Sequence, residues 1–315
     1  MVKKATETPY ISVVVPFYNE EESIQPLWDV LKSSLDEVER SYEVIFVDDG
    51  SSDNTREIMR KISAAHPELR CIFFRANFGQ SAAMGAGFEA TRGEIVIAMD
   101  GDLQNDPRDI KLLVEKLEEG YDVVSGWRKY RQDKLISRKI PSQIANNIIC
   151  SVTDVTLHDT GCSLKAFRGP LLRRITLYGE LHRFIPALMK LEGAKITEIP
   201  VRHHARKYGQ SKYNISRTFR VIMDLTTIRV LMQHLHNPLG FFAKFSLVCG
   251  FAGFITFVTS LFHFGLETEL AIDRLNILLT LTILLWASAF MFISLGLVGK
   301  LIVSNGERKS FSWDF

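Results

Sequence analysis

Between Ile11 and Gly126 the chain repeats one pattern: a short β-branched run halts at a turn signal and gives way to apolar positions at helical spacing. Ile11–Val15 is stopped by Pro16, and Ile24, Leu27, Leu31, Leu35 and Val38 then recur as one face of a helix. The same reading predicts strands over 43–49, 70–75, 94–99 and 121–126. It predicts helices from Asp53, a candidate cap, to His66, over 81–91, and from Pro107, where proline suits a first turn. Strands alternating with helices of this length predict an α/β fold, with a mostly parallel sheet covered by helices on both faces. Ligands of such sheets bind beyond the carboxyl ends of the strands.

Asp48, Asp49, Asp100 and Asp102 all fall at that edge. Four converging carboxylates repel one another unless a cation or hydrogen-bond donors are supplied. In Ile95–Gln104 an apolar run ends in two carboxylates separated by Gly101, and strand alternation sets both on one side of an extended chain. Hard oxygen ligands there suit Mg²⁺ or Mn²⁺, which suits a diphosphate. An Asp-Gly-Asp triplet is otherwise a plain turn, and only its surroundings favour the metal. From Trp127 to Lys139 the residues Arg128, Lys129, Arg131, Lys134, Arg138 and Lys139 face only Asp133. That segment is either a solvated loop or an anion site for a second phosphate, opposite the metal.

The charge of the 315-residue chain is nearly balanced, 38 basic against 36 acidic residues, which argues against nucleic acid as a partner and makes any phosphate site local. The four cysteines are scattered without a CxxC pair, so neither a disulfide framework nor a zinc site is expected. Met1–Pro9 is polar and lacks the apolar core of a secretory leader. Phe245–Phe262, extended by Leu239–Ala243, and Ile277–Gly299 carry no charge. Each approaches the ~20 residues that cross a bilayer as a helix, and the pair predicts a transmembrane hairpin. Upstream, Arg202–His236 is basic with Asp224 its one acid, and Phe219, Ile222, Leu225, Met232 and Leu235 form an apolar stripe. This reads as amphipathic helices on an anionic bilayer surface. The segment between the spans is acidic and the outer flanks are basic, which places both termini and the large domain in the cytoplasm. His203 and His204 are adjacent, point apart, and are expected to be non-ligands. The organisation is therefore a catalytic domain over 1–209, interfacial helices over 210–237, and a hairpin over 238–315 with spans at about 239–262 and 277–303.

Pro16-x-Tyr18-Asn19-Glu20, Asp48-Asp49-Gly50-Ser51-Ser52-Asp53, Asn77-Phe78-Gly79-Gln80 and Asp100-Gly101-Asp102-Leu103-Gln104, in this order and spacing, resemble the family-2 inverting glycosyltransferases. Asp102–Asn105, Arg131-Gln132-Asp133, Gly161-Cys162 and Arg206-x-x-Gly209-x-Ser211-Lys212, with the paired spans, are similar to the polyprenyl-phosphate branch of that family. That branch holds dolichol-phosphate mannose synthase, the bactoprenol glucosyl transferases and the undecaprenyl-phosphate aminoarabinose transferase. The resemblance implies a GT-A nucleotide-diphospho-sugar transferase fold. It implies transfer from a nucleotide sugar to polyprenyl phosphate at the inner membrane, and assembly as a tetramer. The donor is expected to be UDP-linked, with glucose ahead of an amino sugar and GDP-mannose third.

By that resemblance Pro16, Tyr18, Glu20, Asp48, Asp49, Ser51, Asn77, Gln80, Asp100 and Gly101 line the donor. Asp100, Asp102 and Gln104 carry the metal, and Asp102 is counted among the catalytic residues. Arg128, Arg131, Arg138 and Ser142 grip the acceptor phosphate, while Arg206, Ser211 and Lys212 fall in a loop over the donor whose cations offset the departing charge. Three positions depart from the pattern. Gly101 stands where the family usually has Ala, Arg75-Ala76-Asn77 where Arg-Asn is common, and Cys162 where the glucosyl enzymes carry an acid assigned as base. Nearby Asp159 is the candidate for that role. The nucleophile is already an oxyanion, so a strong base is not chemically required. The rivals are a processive polysaccharide synthase, which would carry a QxxRW motif and more spans, and a non-catalytic nucleotide-sugar-binding scaffold.

Overall fold

In the computed structural model all seven residues of β1 (Ile11–Phe17) lie in register with β2 (Tyr42–Asp48) on one side, and Ile11–Val14 with β4 (Ile95–Ala98) on the other, all parallel. The structure describes residues 8–129, 150, 155–177, 179, 181–205, 237–263 and 269–310. With β3 (Leu69–Phe73), β5 (Val123–Trp127), β6 (Lys165–Arg168) and β7 (Ile196–Pro200), the sheet order is β3-β2-β1-β4-β6-β5-β7. Every pairing is parallel except those of β6, which runs antiparallel to both β4 and β5. That reversal has a consequence for chemistry: the first residue of β6, Lys165, pairs with Ala98 and Ser125 and so arrives at the carboxyl ends of its neighbours.

Alternation decides what each strand residue covers. Ile11, Val13 and Val15 of β1 and Val44 and Phe46 of β2 pack with α1 (Ile24–Asp36), α2 (Thr55–Ala65) and α4 (Ile110–Glu118). Val14, Ile45 and Val47 face α3 (Gln80–Glu89) and α6 (Ile185–Leu191) on the opposite side, with the single-turn α5 (Gly169–Leu172). Both sheet faces are buried, which is why the strands read as continuous apolar runs. Asp53 accepts the Thr55 amide at 3.0 Å as α2 begins, and Asp106 accepts the Arg108 amide across Pro107.

The expected strands are present with ends shifted by a residue or two. The larger difference is at the acidic triplet: β4 ends at Ala98, so Asp100 and Asp102 sit in a turn rather than on an extended strand. Leu103 has φ +59°, and the Gln104 amide bonds back to Asp102 Oδ1 at 3.1 Å. Gly101 is fixed by a neighbour: a Cβ there would lie 2.6 Å from Phe17 Cδ1. Gly101→Ala is therefore expected to lower stability by about 1–3 kcal/mol through overpacking, with partial recovery when combined with Phe17→Leu. Thermal unfolding checks this, and an unshifted midpoint would show the ring to be free to yield.

The chain divides into two compact units, Met1–Ile228 and Arg229–Phe315. In the second, α7 (Pro238–His263) and α8 (Glu269–Ser310) pair along their lengths. Each holds a stretch long and apolar enough to cross a bilayer, Pro238–Phe262 and Leu275–Ser304. Leu247, Val248, Phe251, Ile283, Phe290 and Ile302 are exposed on them, which suits hydrocarbon rather than water. Small residues make the seam. Thr256 Oγ1 and Thr282 Oγ1 are 2.8 Å apart, Ser246 donates to the Ala289 carbonyl, and Gly253 leaves room for the Trp286 ring. The acidic segment expected between the spans is helical from Glu269, and residues 264–268 of it lie outside the described residues. The predicted interfacial helices over 210–237 fall, apart from Asn237, outside the described residues.

Candidate active site

The loops at the carboxyl edge are stitched to one another in strand order. After β1, the Asn19 amide donates to Ser51 Oγ (2.9 Å), and Asn19 Oδ1 accepts the Ser52 amide (2.8 Å). Glu20 N–H reaches Thr55 Oγ1 (3.0 Å), so the Pro16–Glu20 turn is fastened to the loop after β2. Asn19 holds φ +54°, a conformation Asn tolerates. The next pair of loops meets backbone to backbone. Gly50, φ +71°, leaves no room for a side chain, since a Cβ would stand 2.7 Å from Asn77 N.

Asp48 is fully buried and bound by Arg56 through Nε (3.0 Å) and Nη2 (2.7 Å), while its Oδ1 accepts the Ser51 amide. Arg56 also donates to the Phe74 carbonyl. Asp49 accepts the amides of Phe78 (2.7 Å) and Gly79 (2.9 Å), one on each oxygen. Burial raises its pKa, the two amides oppose that, and the charge of Asp48 adds to the rise. The two acids of this loop thus brace the 74–79 loop, whose Phe78 is exposed, and Asn77 is exposed beside it. Local donors reduce the expected repulsion at these two carboxylates without removing it.

It persists between the other two. Asp100 has its pKa raised, first by burial and then by the negative charge of Asp102. Gln80 Nε2 donates to Asp100 Oδ1 at 2.7 Å, linking the start of α3 to the acid turn. Ser163 also bonds Asp100, and Asn105 Nδ2 donates to Ser163 Oγ at 2.6 Å. Two carboxylates held close, each with an oxygen already fixed by a neighbour, form a hard-oxygen half-site. Among the described residues no group of three or more His, Cys, Asp or Glu side chains gathers for a metal. A Mg²⁺-like ion fits such a pair, because it keeps water and takes substrate phosphate as further ligands.

Across from this pair, Arg128 at the exit of β5 grips Asp159 through Nε (2.7 Å) and Nη2 (2.9 Å). Both side chains are about nine-tenths buried. Burial works against the guanidinium, but the Asp159 carboxylate outweighs it and holds the Arg128 pKa above its ordinary value. The expected acceptor-phosphate residue and the expected base are therefore one bidentate pair. Cys162 is buried, its thiol pushed up by burial, with Sγ against Asn105 Oδ1 (3.9 Å). It packs in the space left by Gly126, where a Cβ would lie 2.9 Å from the sulfur. His204 bonds Asp106 Oδ2 at 3.0 Å. Arg131, Arg138, Ser142, Arg206, Ser211 and Lys212 lie outside the described residues.

Glycosyl transferase family 2 matches residues 12–177, from β1 through the segment after α5. The chain belongs to that family. It is 40% identical over 308 residues to a dodecaprenyl-phosphate galacturonate synthase of Rhizobium johnstonii, covering 96% of this chain and 90% of the relative. It is 34% identical over 294 residues to an undecaprenyl-phosphate 4-deoxy-4-formamido-L-arabinose transferase of Salmonella choleraesuis, covering 93% and 88%. Among solved structures, glucosyl-3-phosphoglycerate synthase of Mycobacterium tuberculosis, in complex with Mn²⁺, UDP and phosphoglyceric acid, superposes with TM-score 0.53 at 20% identity, covering 71% of this chain and 78% of that one. This family-2 protein is thus an enzyme of the polyprenyl-phosphate glycosyltransferase class, on a GT-A-like sheet followed by two apolar helices.

Two residues of this family-2 site escaped the sequence reading. Arg56 is the second residue of α2 and shows no sign in the chain of reaching Asp48. Lys165 opens β6, is 4% exposed, and donates to the carbonyls of Thr160 (3.1 Å) and Cys162. A lysine at the head of a short apolar strand was the one available signal, since lysine is seldom buried without partners.

Proposed function

We propose that this enzyme moves a sugar from a UDP-linked donor directly onto polyprenyl phosphate, with inversion, at the cytoplasmic face of the membrane. The observation that carries the reading is the Asp100–Asp102 pair and the Arg128–Asp159 pair held at one sheet edge, close enough for the charge of Arg128 to act on Asp100. A divalent ion bound by Asp100 and Asp102, with Gln104 as a further oxygen, would neutralise charge on the departing diphosphate. The turn 16–20 and the loops carrying Ser51, Asn77 and Gln80 form a rigid floor for the nucleotide. Their hydrogen bonds to one another keep that floor in place before the donor arrives.

Arg128 spends its Nε–Nη2 edge on Asp159 and leaves the Nη1 edge for the acceptor phosphate. Asp159 then aims the guanidinium rather than removing a proton. The phosphate oxygen attacks the anomeric carbon, the bond to the nucleotide diphosphate breaks with its electron pair, and no proton needs to move. The names of the relatives point to a donor sugar such as galacturonate or a 4-amino-4-deoxypentose derivative, ahead of glucose. The two apolar helices are taken as the tether that keeps the edge near a lipid head group, with the catalytic unit and both termini in the cytoplasm.

Purified full-length protein in detergent, given undecaprenyl phosphate, Mn²⁺ and a panel of UDP-sugars, is expected to yield one glycosyl-phospholipid by mass spectrometry. EDTA should stop its formation. Product formed equally well in EDTA would remove the metal, and UDP release without a lipid product would remove the acceptor.

A further inference from the structure

Beside the Arg128–Asp159 pair lies a second contact between the same two segments, one residue back on each. Trp127 ends β5 and stacks on His158, with ring centres 4.4 Å apart and planes 20° from parallel. Neighbours on an extended chain turn to opposite sides. The end of β5 therefore meets the 158–159 segment with an aromatic contact on one side and an ionic one on the other. The adjacent strand β7 fastens this arrangement. Glu198, in register with Ser125 and with its side chain mostly buried, accepts the His158 amide on Oε2 at 2.8 Å and the ring nitrogen Nδ1 on Oε1. A carboxylate only accepts, so Nδ1 carries the proton. One side chain thus holds both the backbone and the ring of the residue immediately before Asp159.

We infer that Glu198 is a positioning residue for the acceptor: through His158 it fixes where Asp159 stands, and Asp159 in turn aims the Arg128 guanidinium. This rests on the reading of Arg128 as the group that meets the acceptor phosphate. A bidentate pair directs a guanidinium only as well as its carboxylate is itself held. Asp159 lies on a loop, where geometry is looser than on a strand. The grip of Glu198 on His158 ties that loop to the sheet, and the stack on Trp127 ties it to the strand that carries Arg128.

The test is binding of undecaprenyl phosphate to the full chain in detergent, measured by native mass spectrometry without donor. Glu198→Ala is expected to weaken it roughly threefold to tenfold, the scale of one hydrogen bond's net worth. Binding of UDP with Mn²⁺, and of undecaprenol, which has no phosphate, should stay as in wild type. Glu198→Gln still accepts the His158 amide and is expected to recover most of the loss. In an Arg128→Ala background Glu198→Ala should weaken acceptor binding no further, because the group it aims is gone. His158→Phe keeps a ring on Trp127 and loses the Nδ1 bond; it is the second variant should Glu198→Ala not fold, with a loss expected in the same direction. A loss shared equally by undecaprenol, or a further loss in the Arg128→Ala background, would overturn the assignment. Arg128→Ala that binds undecaprenyl phosphate like wild type sinks the acceptor reading and this one together. Weakened Arg128→Ala beside an unmoved Glu198→Ala sinks this one alone.

Discussion

Asp102→Asn is expected to lower sugar transfer to polyprenyl phosphate by about 10³-fold, the usual scale for removing a charge-stabilising group from a reacting centre. The fold should survive. Asn keeps an oxygen where Asp102 Oδ1 accepts the Gln104 amide, so the turn with Leu103 at positive φ retains its closing bond. What is lost is one of the two negative charges proposed to face the ion. The measurement pairs turnover with thermal unfolding and membrane extraction. Turnover within a few-fold of wild type in a folded variant would mean that the acid turn is only a turn.

The second large effect is expected at Arg128. On the proposed reading, Arg128→Ala removes a charge-assisted contact to the acceptor, worth roughly 1.5–3 kcal/mol, so the KM for undecaprenyl phosphate should rise about tenfold or more while the KM for the donor changes little. It also leaves Asp159 buried without its guanidinium, a change that in comparable pairs costs about 3–5 kcal/mol. Combining it with Asp159→Asn should restore much of the lost stability but not the acceptor KM. Asp159→Asn alone separates the two roles proposed for that carboxylate. A general base would take about 10²–10⁴ of rate with it and flatten one limb of the pH profile. A residue that aims Arg128 would leave the shape of the profile unchanged. An acceptor KM unmoved by Arg128→Ala would defeat the assignment of Arg128.

Much of the nucleotide half was legible because a strand buried on both faces and a helix with one apolar face leave different periods in the chain. Ile11–Val15 and the Ile24–Val38 series announce β1 and α1 with no knowledge of their surroundings. The strand direction of β6 was not legible, since four residues, Lys165–Arg168, look the same whichever way they run. Nor were the partners of the acids. Asp48 and Asp49 are neighbours in the chain, yet one is met by a side chain of α2 and the other by amides some thirty residues away. Strand alternation placed Asp100 and Asp102 together for a reason that does not hold, because β4 ends before them. The turn closed by the Gln104 amide and the ring of Phe17 keeps them together instead. Gly101 was noted as a departure from the family pattern, and only the packed ring shows why no methyl group fits there.

The seam between α7 and α8 follows a different logic from the sheet. In hydrocarbon, driving leucine out of its surroundings gains nothing, so two greasy rods have no general reason to stay side by side. The Thr256–Thr282 contact, the seat of Trp286 over Gly253 and the close approach of Leu239 to Gly296 give them a particular one. Their rotation and depth against each other are thereby keyed at three heights, and the anchor behaves as a single peg rather than two independent tails. Bulk introduced at Gly253 would splay that peg without disturbing any group that handles sugar.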